Sequence, residues 1–307
     1  MRPASPGLFS TLISLISLVA AACGSTSRGT FDDGKADADG VVPAPEGGKP
    51  PAFTDGGLDS SPTVVSEVFG HSGKTLYRLD PDTKGVTVVG DFSGCNDSVI
   101  DIALDEKSQM YGTTFKGLYR IDKGTARCTP IVEAPGLDFP NSLSFVPKGT
   151  LDATAEVLVG YVGDAYVRID TTTGAIRNVG TLGDGTAATR NLVSSGDVVS
   201  VIGGPTYLSV KSTATSGACT ATDCLVELDP RTGKIVKNLG ALTGHNDVFG
   251  LAFWAGKVYG VDKAGKLFEV EPKGASLSLT EITIPQRPSD LSFFGAGSTT
   301  SAPVQPR

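Results

Sequence analysis

The chain has 307 residues, five cysteines and a formal net charge of −7, from 26 basic and 33 acidic side chains. Part of that net charge falls before residue 62. The remainder is mildly acidic and carries no Lys/Arg cluster, which excludes the basic footprint that nucleic-acid binding needs.

In chain order, the first element is a leader. Arg2 supplies one positive charge, an apolar run interrupted by serine extends from Leu8 to Val19, and Ala20-Ala21-Ala22-Cys23-Gly24 follows. A basic start, an apolar centre and small residues in that order read as a secretory signal peptide over 1–22. The run is too short for a membrane span of about 20 residues. A cysteine directly after the small residues resembles the lipobox of bacterial lipoproteins, with Ala20 where leucine is usual. That resemblance implies lipidation of Cys23 and an extracytoplasmic chain held to the cell envelope by its lipid alone. Gly24 resembles outer-membrane sorting if the cell is Gram-negative. The rival reading is an ordinary signal peptide cut near Cys23.

Residues 23–62 are rich in Gly, Pro, Ser, Asp and Ala, with Phe31 and Phe53 as the only aromatics. Such a segment buries too little apolar surface to offset its ordering entropy and is expected to be a disordered tether. Its mean reach is about 35 Å. With Cys23 assigned to lipid, four cysteines remain, as Cys95 with Cys128 and Cys219 with Cys224. In an oxidising compartment they read as two disulfides. Metal binding by Cys219 and Cys224 is the rival, without a histidine nearby to support it.

A repeat then runs from about residue 63 to 297. The phrase Leu76-Tyr77-Arg78-Leu79-Asp80-Pro81 returns as Leu118-Tyr119-Arg120-Ile121-Asp122, Tyr166-Val167-Arg168-Ile169-Asp170 and Leu225-Val226-Glu227-Leu228-Asp229-Pro230. It returns more loosely as Leu267-Phe268-Glu269-Val270-Glu271-Pro272. Its acidic position steps by 42, 48, 59 and 42 residues. Each phrase alternates like a strand and ends in turn chemistry, where Asp accepts from the backbone ahead and Gly supplies a left-handed residue. A strand ending in glycine precedes it, such as Met110-Tyr111-Gly112. A short apolar strand comes before that, such as Asp101-Ile102-Ala103-Leu104. Four strands per 40–50 residues is the period of a β-propeller blade. The fold class is therefore all-β, with about five four-stranded blades.

The phrase resembles repeats of extracytoplasmic bacterial propeller proteins, a resemblance that implies fold and not activity. The first unit lacks an innermost strand, and Ser289-Asp290-Leu291-Ser292-Phe293-Phe294 reads as an innermost strand with nothing after it. Pairing of the two would close the ring. The fourth unit carries an apparent insertion, 203–224, which leaves a sixth blade as an alternative. Residues 298–307 read as a disordered tail.

Propeller geometry gathers the blade-to-blade connections on one face. A polar residue recurs there before each innermost strand: Asn96 and Asp97, Asn141, Asn191, Asn246 and Asp247, and Asp290. These form a candidate ligand ring at the channel mouth, able to hold Ca²⁺ or sugar hydroxyls. The same residue types also cap turns with their own backbone. His71 and His245 are counted with these candidate ligand residues and read as exposed loop histidines on that face, with a catalytic or zinc pair as the rival reading. Asp138, Asp164, Arg190, Asp262, Arg287 and the Tyr207 insertion are assigned to the same face. Trp254 is assigned to the opposite face or the core. No zinc-binding helix motif, nucleophile elbow or phosphate loop occurs. The expected function is a binding or interaction module for an envelope protein or glycan, acting as a monomer with no required cofactor. The alternative is a metal-dependent lactonase-like enzyme, hydrolase or lyase at the channel mouth, using Asp97, Asn141, Asn191, Asp247 and Asp290.

Overall fold

The computed structural model describes residues 66–305, apart from 135, 137, 274 and 275. The signal peptide, Cys23 and the tether lie outside the described residues. Twenty strands and no helix occur among the described residues. They form five antiparallel four-stranded sheets.

Blade 1 contains β1 (Val68–His71), β2 (Thr75–Leu79) and β3 (Val86–Asp91), and blade 2 contains β4 (Asp101–Leu104), β5 (Met110–Thr114), β6 (Gly117–Asp122) and β7 (Arg127–Glu133). Blade 3 follows with β8 (Leu143–Val146), β9 (Val157–Val162), β10 (Ala165–Ile169) and β11 (Ile176–Thr181). Blade 4 has β12 (Leu192–Ser200), β13 (Thr206–Ser212), β14 (Cys224–Asp229) and β15 (Lys234–Ala241). Blade 5 has β16 (Val248–Trp254), β17 (Lys257–Asp262), β18 (Leu267–Lys273) and β19 (Ser276–Ile282). The last strand, β20 (Gly295–Ser298), pairs with β1 and supplies the missing innermost strand of blade 1. The innermost strands touch in cyclic order, β20 to β4, β8, β12, β16 and back to β20. The fold is a five-bladed β-propeller, closed as the two chain ends predict.

The repeat phrase forms the third strand of each blade and the turn after it. Asp80 Oδ1 accepts from the N–H groups of Asp82 and Thr83 at 2.9 and 3.0 Å, and Asp170 Oδ1 from those of Thr172 and Thr173, both at 2.8 Å. Four residues after each Asp the backbone turns left-handed, at Lys84, Ala126, Gly174 and Gly233. These turns also lock blade to blade. Tyr166 Oη donates to the Pro230 carbonyl at 2.9 Å, and Tyr161 Oη to the Gly233 carbonyl at 2.6 Å. At the closing junction Lys84 Nζ donates to Tyr259 Oη at 3.1 Å.

Three expectations are corrected. The closing strand is Gly295–Ser298 and not residues 289–294, because bulk cannot enter beside the channel: a Cβ on Gly295 would lie 2.3 Å from His71 Nε2. Phe293 instead buries its ring against Tyr77, at 5.8 Å between centroids. The tail does not fray at Ser298. Thr299 and Thr300 are buried, the Thr299 N–H donates to the Glu67 carbonyl at 3.2 Å, and the Ile202 N–H to the Thr300 carbonyl at 2.8 Å. The apparent insertion in unit four is β13 followed by a loop, so the unit holds one blade. Tyr207 therefore lies near the start of β13, at the end opposite the blade connections, and packs in the core.

Candidate functional site

Strand direction divides the ring into two faces. Connections between blades, and between the second and third strands of a blade, emerge on one, called here the loop face. Tight turns occupy the other. Val68, at the start of β1, is paired with Ser298, at the end of β20. The chain thus enters and leaves the described ring on the turn face. Trp254 ends β16 on that same face, 6 % exposed, as expected.

On the loop face the predicted ring residues are exposed, while Asp262 is buried, and the exposed ones divide among separate places. Asn96 and Asp97 line a cleft of about 350 Å³ together with Gly73, Lys74, Asp91, Phe92, Cys95 and Ser98. Its wall is braced by the Cys95–Cys128 disulfide. Thr75 Oγ1 donates to Asp91 Oδ1 at 2.8 Å, the Ser98 N–H to Asp97 Oδ1 at 2.8 Å, and Thr114 Oγ1 to Asn96 Oδ1 at 3.3 Å. One oxygen of Asp97 thus serves its local turn, and one of Asp91 bonds across the β2–β3 pair. Asn246 and Asp247 line a smaller cleft, about 160 Å³, against the loop closed by the Cys219–Cys224 disulfide. Asp247 is left-handed, at φ 54°. Asn141, Asn191 and Asp290 are exposed and line neither cleft. Asn191 acts through its backbone, its carbonyl accepting from the Thr213 N–H at 2.8 Å.

The two histidines are not exposed, which corrects the loop reading. His71 is 0 % exposed and His245 6 %. Each is instead held by a carboxylate. His245 Nδ1 lies 3.2 Å from Asp262 Oδ2, with its ring stacked 3.7 Å from Phe268. His71 Nε2 faces Asp101 Oδ1 at 3.7 Å, while Nδ1 lies 2.9 Å from the Ser72 carbonyl. No cluster of three or more His, Cys, Asp or Glu with metal-binding geometry occurs among the described residues.

The sequence reading missed the polar residues inside the channel. Asp101 and Asp197 are both 0 % exposed. Asp101 Oδ2 accepts from the Leu143 N–H at 2.6 Å and Oδ1 from its own Ile102 N–H at 2.8 Å. Asp197 stands in a bulge of β12 and reaches β16, where Oδ2 accepts from the Leu251 N–H at 3.1 Å. Burial pushes the Asp101 carboxyl up to about 6, against the opposing pull of His71. Burial, followed by the charge of Asp101, raises Asp197 well above the usual carboxylate range. The available signal was a charged residue within an apolar innermost strand, as in Asp101-Ile102-Ala103-Leu104 and Gly196-Asp197-Val198-Val199. Lys74 and Phe92, which complete the larger cleft, carry no sequence signal.

No protein-family model matches the chain, and no curated protein matches it. Among solved structures it is similar to a protein from work on the de novo evolutionary emergence of a symmetrical protein, at 15 % identity over 79 % of this chain and 100 % of that one, with a TM-score of 0.46. It is similar to a chain of a nidogen/laminin complex at 12 % identity, over 78 % of this chain and 100 % of that one, TM-score 0.45. A protein of unknown function from Bacteroides caccae matches at 13 % identity, over 76 % of this chain and 98 % of that one, TM-score 0.42. At these values none bears on activity, and the propeller assignment stands on the strands and their pairing in this chain.

Proposed function

We propose that the chain is an extracytoplasmic binding module, lipidated at Cys23 and tethered to the cell envelope, which presents its loop face to an envelope glycan or protein. The observation that carries this reading is the cleft at the junction of blades 1 and 2. It has the size of a small-ligand site and combines an aromatic wall, Phe92, with an ammonium, an amide and two carboxylates. Two disulfides fit an oxidising compartment. The first described residue, Ser66, lies on the turn face, opposite the cleft. The buried carboxylates Asp101 and Asp197 line neither cleft.

The test is thermal unfolding of the full chain against a panel of neutral, amino and acidic saccharides, and against calcium with a chelator control. A ligand at a hundred times its Kd adds about 2.7 kcal/mol, a Tm rise of several degrees for a domain of this size. The rise is expected to vanish in a Lys74→Ala/Asp97→Ala double variant. A calcium effect removed by Asp247→Ala would place a cation in the smaller cleft. A saccharide effect untouched by the double variant would refute the assignment of the larger cleft. Binding to isolated envelopes that is equally indifferent to it would refute the loop face as a whole.

A further inference from the structure

The innermost ring closes on three ionisable side chains that the binding reading does not use. His71 ends β1, Asp101 begins β4 and Asp197 stands in β12, and all three are inaccessible to solvent. Between them sits β20. A Cβ on Gly295 would lie 2.3 Å from His71 Nε2 and 2.5 Å from Asp101 Oδ1, so only glycine seats there. The next peptide, Ala296 N–H, donates to Asp197. The Phe294 N–H donates to the His71 carbonyl at 2.7 Å. The closing strand is therefore clasped by these residues as well as by its pairing with β1.

Proton positions follow from the geometry. A carbonyl only accepts, so His71 Nδ1 carries its hydrogen toward Ser72. His71 Nε2 then meets Asp101 Oδ1 at 3.7 Å, lone pair against lone pair unless one of them holds a proton. Asp101 and Asp197 interact directly, and two buried carboxylates in contact cannot both ionise. His71 Nε2 and Asp197 Oδ1 are the two atoms of this group buried without a hydrogen-bond partner among the described residues. A proton at each of the two contacts resolves both.

We propose that His71, Asp101 and Asp197 form a proton-holding latch that fixes β20, so that the ring is closed most firmly when the latch carries two protons and loosens as they are withdrawn. His71 is the ionisable group acting on Asp101, and Asp101 the one acting on Asp197. The elements β8, β16 and β20 bring the peptide N–H groups of Leu143, Leu251 and Ala296 to them. The unfolded chain releases carboxyl protons near pH 4, whereas burial raises Asp101 to about 6 and moves Asp197 in the same direction, well above the usual carboxylate range. The folded ring binds more protons than the unfolded chain above pH 4, so this contribution to stability falls as pH rises through 6 and beyond.

The experiment compares the full chain with Asp197→Asn. The amide oxygen still accepts from Leu251, its NH₂ donates toward Asp101, and the like-charge contact is gone. Wild type is expected to lose about 5 °C of Tm between pH 5 and pH 8, and Asp197→Asn to lose less than half as much. An unchanged pH slope in the variant overturns the latch. A second measurement needs only wild type: amide exchange, corrected for intrinsic rate, at residues 295–298 against Val159 in blade 3. Protection of the closing strand is expected to drop about tenfold more than that of Val159 over the same pH range. An equal drop at both places also overturns the proposal.

Discussion

A Cβ on Gly174 would come within 2.0 Å of Val132 Cγ1, and one on Gly233 within 2.4 Å of the Tyr166 ring. Both glycines have a φ of 72°. Alanine at either position therefore meets two penalties, the left-handed backbone at roughly 1–2 kcal/mol and forced overpacking at roughly 1–3. Gly163 separates them. Its φ is 64° and a Cβ there meets nothing within 4 Å. Urea midpoints are expected to place Gly163→Ala about 1 kcal/mol below wild type, and Gly174→Ala and Gly233→Ala about 3 below it. Equal losses at all three would mean that the turns are not wedged between blades. Lys84 and Ala126 occupy the same left-handed position without being glycine. For Lys84 the compensation is visible: its ammonium bonds the Pro81 carbonyl and Tyr259 Oη, and lies 4.7 Å from the centre of the Tyr259 ring. Tyr161→Phe tests the reverse contact. It leaves the Gly233 carbonyl without its 2.6 Å donor and is expected to cost about 1–2 kcal/mol in the same assay.

Among elements, β20 has the most dependent on it and the least sequence signal. Ending the chain after Phe294 removes Gly295–Ser298, uncovers the paired edge of β1 and deletes the cover of the latch. An open edge of that kind recruits other chains. Size-exclusion chromatography of the truncated chain is expected to show aggregates or strand-exchanged oligomers, and a well-folded monomer would argue that closure is dispensable. Most of the fold was legible because the repeat phrase serves its own turn: the Asp caps, the left-handed residue and the alternating apolar side chains are local chemistry. The closing strand answers to a tertiary demand. Gly-Ala-Gly-Ser resembles a tail because the channel admits no larger side chains, whereas Phe293 and Phe294 looked like a strand and act as packing and surface. The hidden strand of unit four, Thr206–Ser212, escaped notice because it lacks the Tyr-Gly ending of its counterparts. The candidate site was legible only in part, for a related reason. Asn96, Asp97, Asn246 and Asp247 were found from their place before innermost strands. The wall of the larger cleft comes from Lys74 and Phe92, which adjoin it only after blade 1 has folded.

At the scale of the whole molecule, the two disulfides and the proposed anchor separate stability from location. The Cys95–Cys128 bridge closes a 33-residue separation and the Cys219–Cys224 bridge a separation of 5. In the chain-entropy model the first contributes about 3–4 kcal/mol and the second about 2. A Cys95→Ser/Cys128→Ser chain is thus expected to unfold at lower urea than a Cys219→Ser/Cys224→Ser chain, and the opposite order would assign the shorter bridge the larger structural role. Cys23 belongs to a different account. If it is the lipid attachment, as proposed, it governs residence at the membrane, where several acyl chains hold a protein that one chain would release. Cys23→Ser is therefore expected to move the chain from the membrane pellet to the soluble fraction, with Tm and affinity for a free ligand unchanged. Its capture of an envelope-bound ligand should weaken in the same variant, because tethering confers effective concentration and adds no contact. A Cys23→Ser chain that still sediments with membranes would contradict the lipid anchor. A soluble one that also loses affinity for free ligand would instead mean that the N-terminal segment takes part in the site.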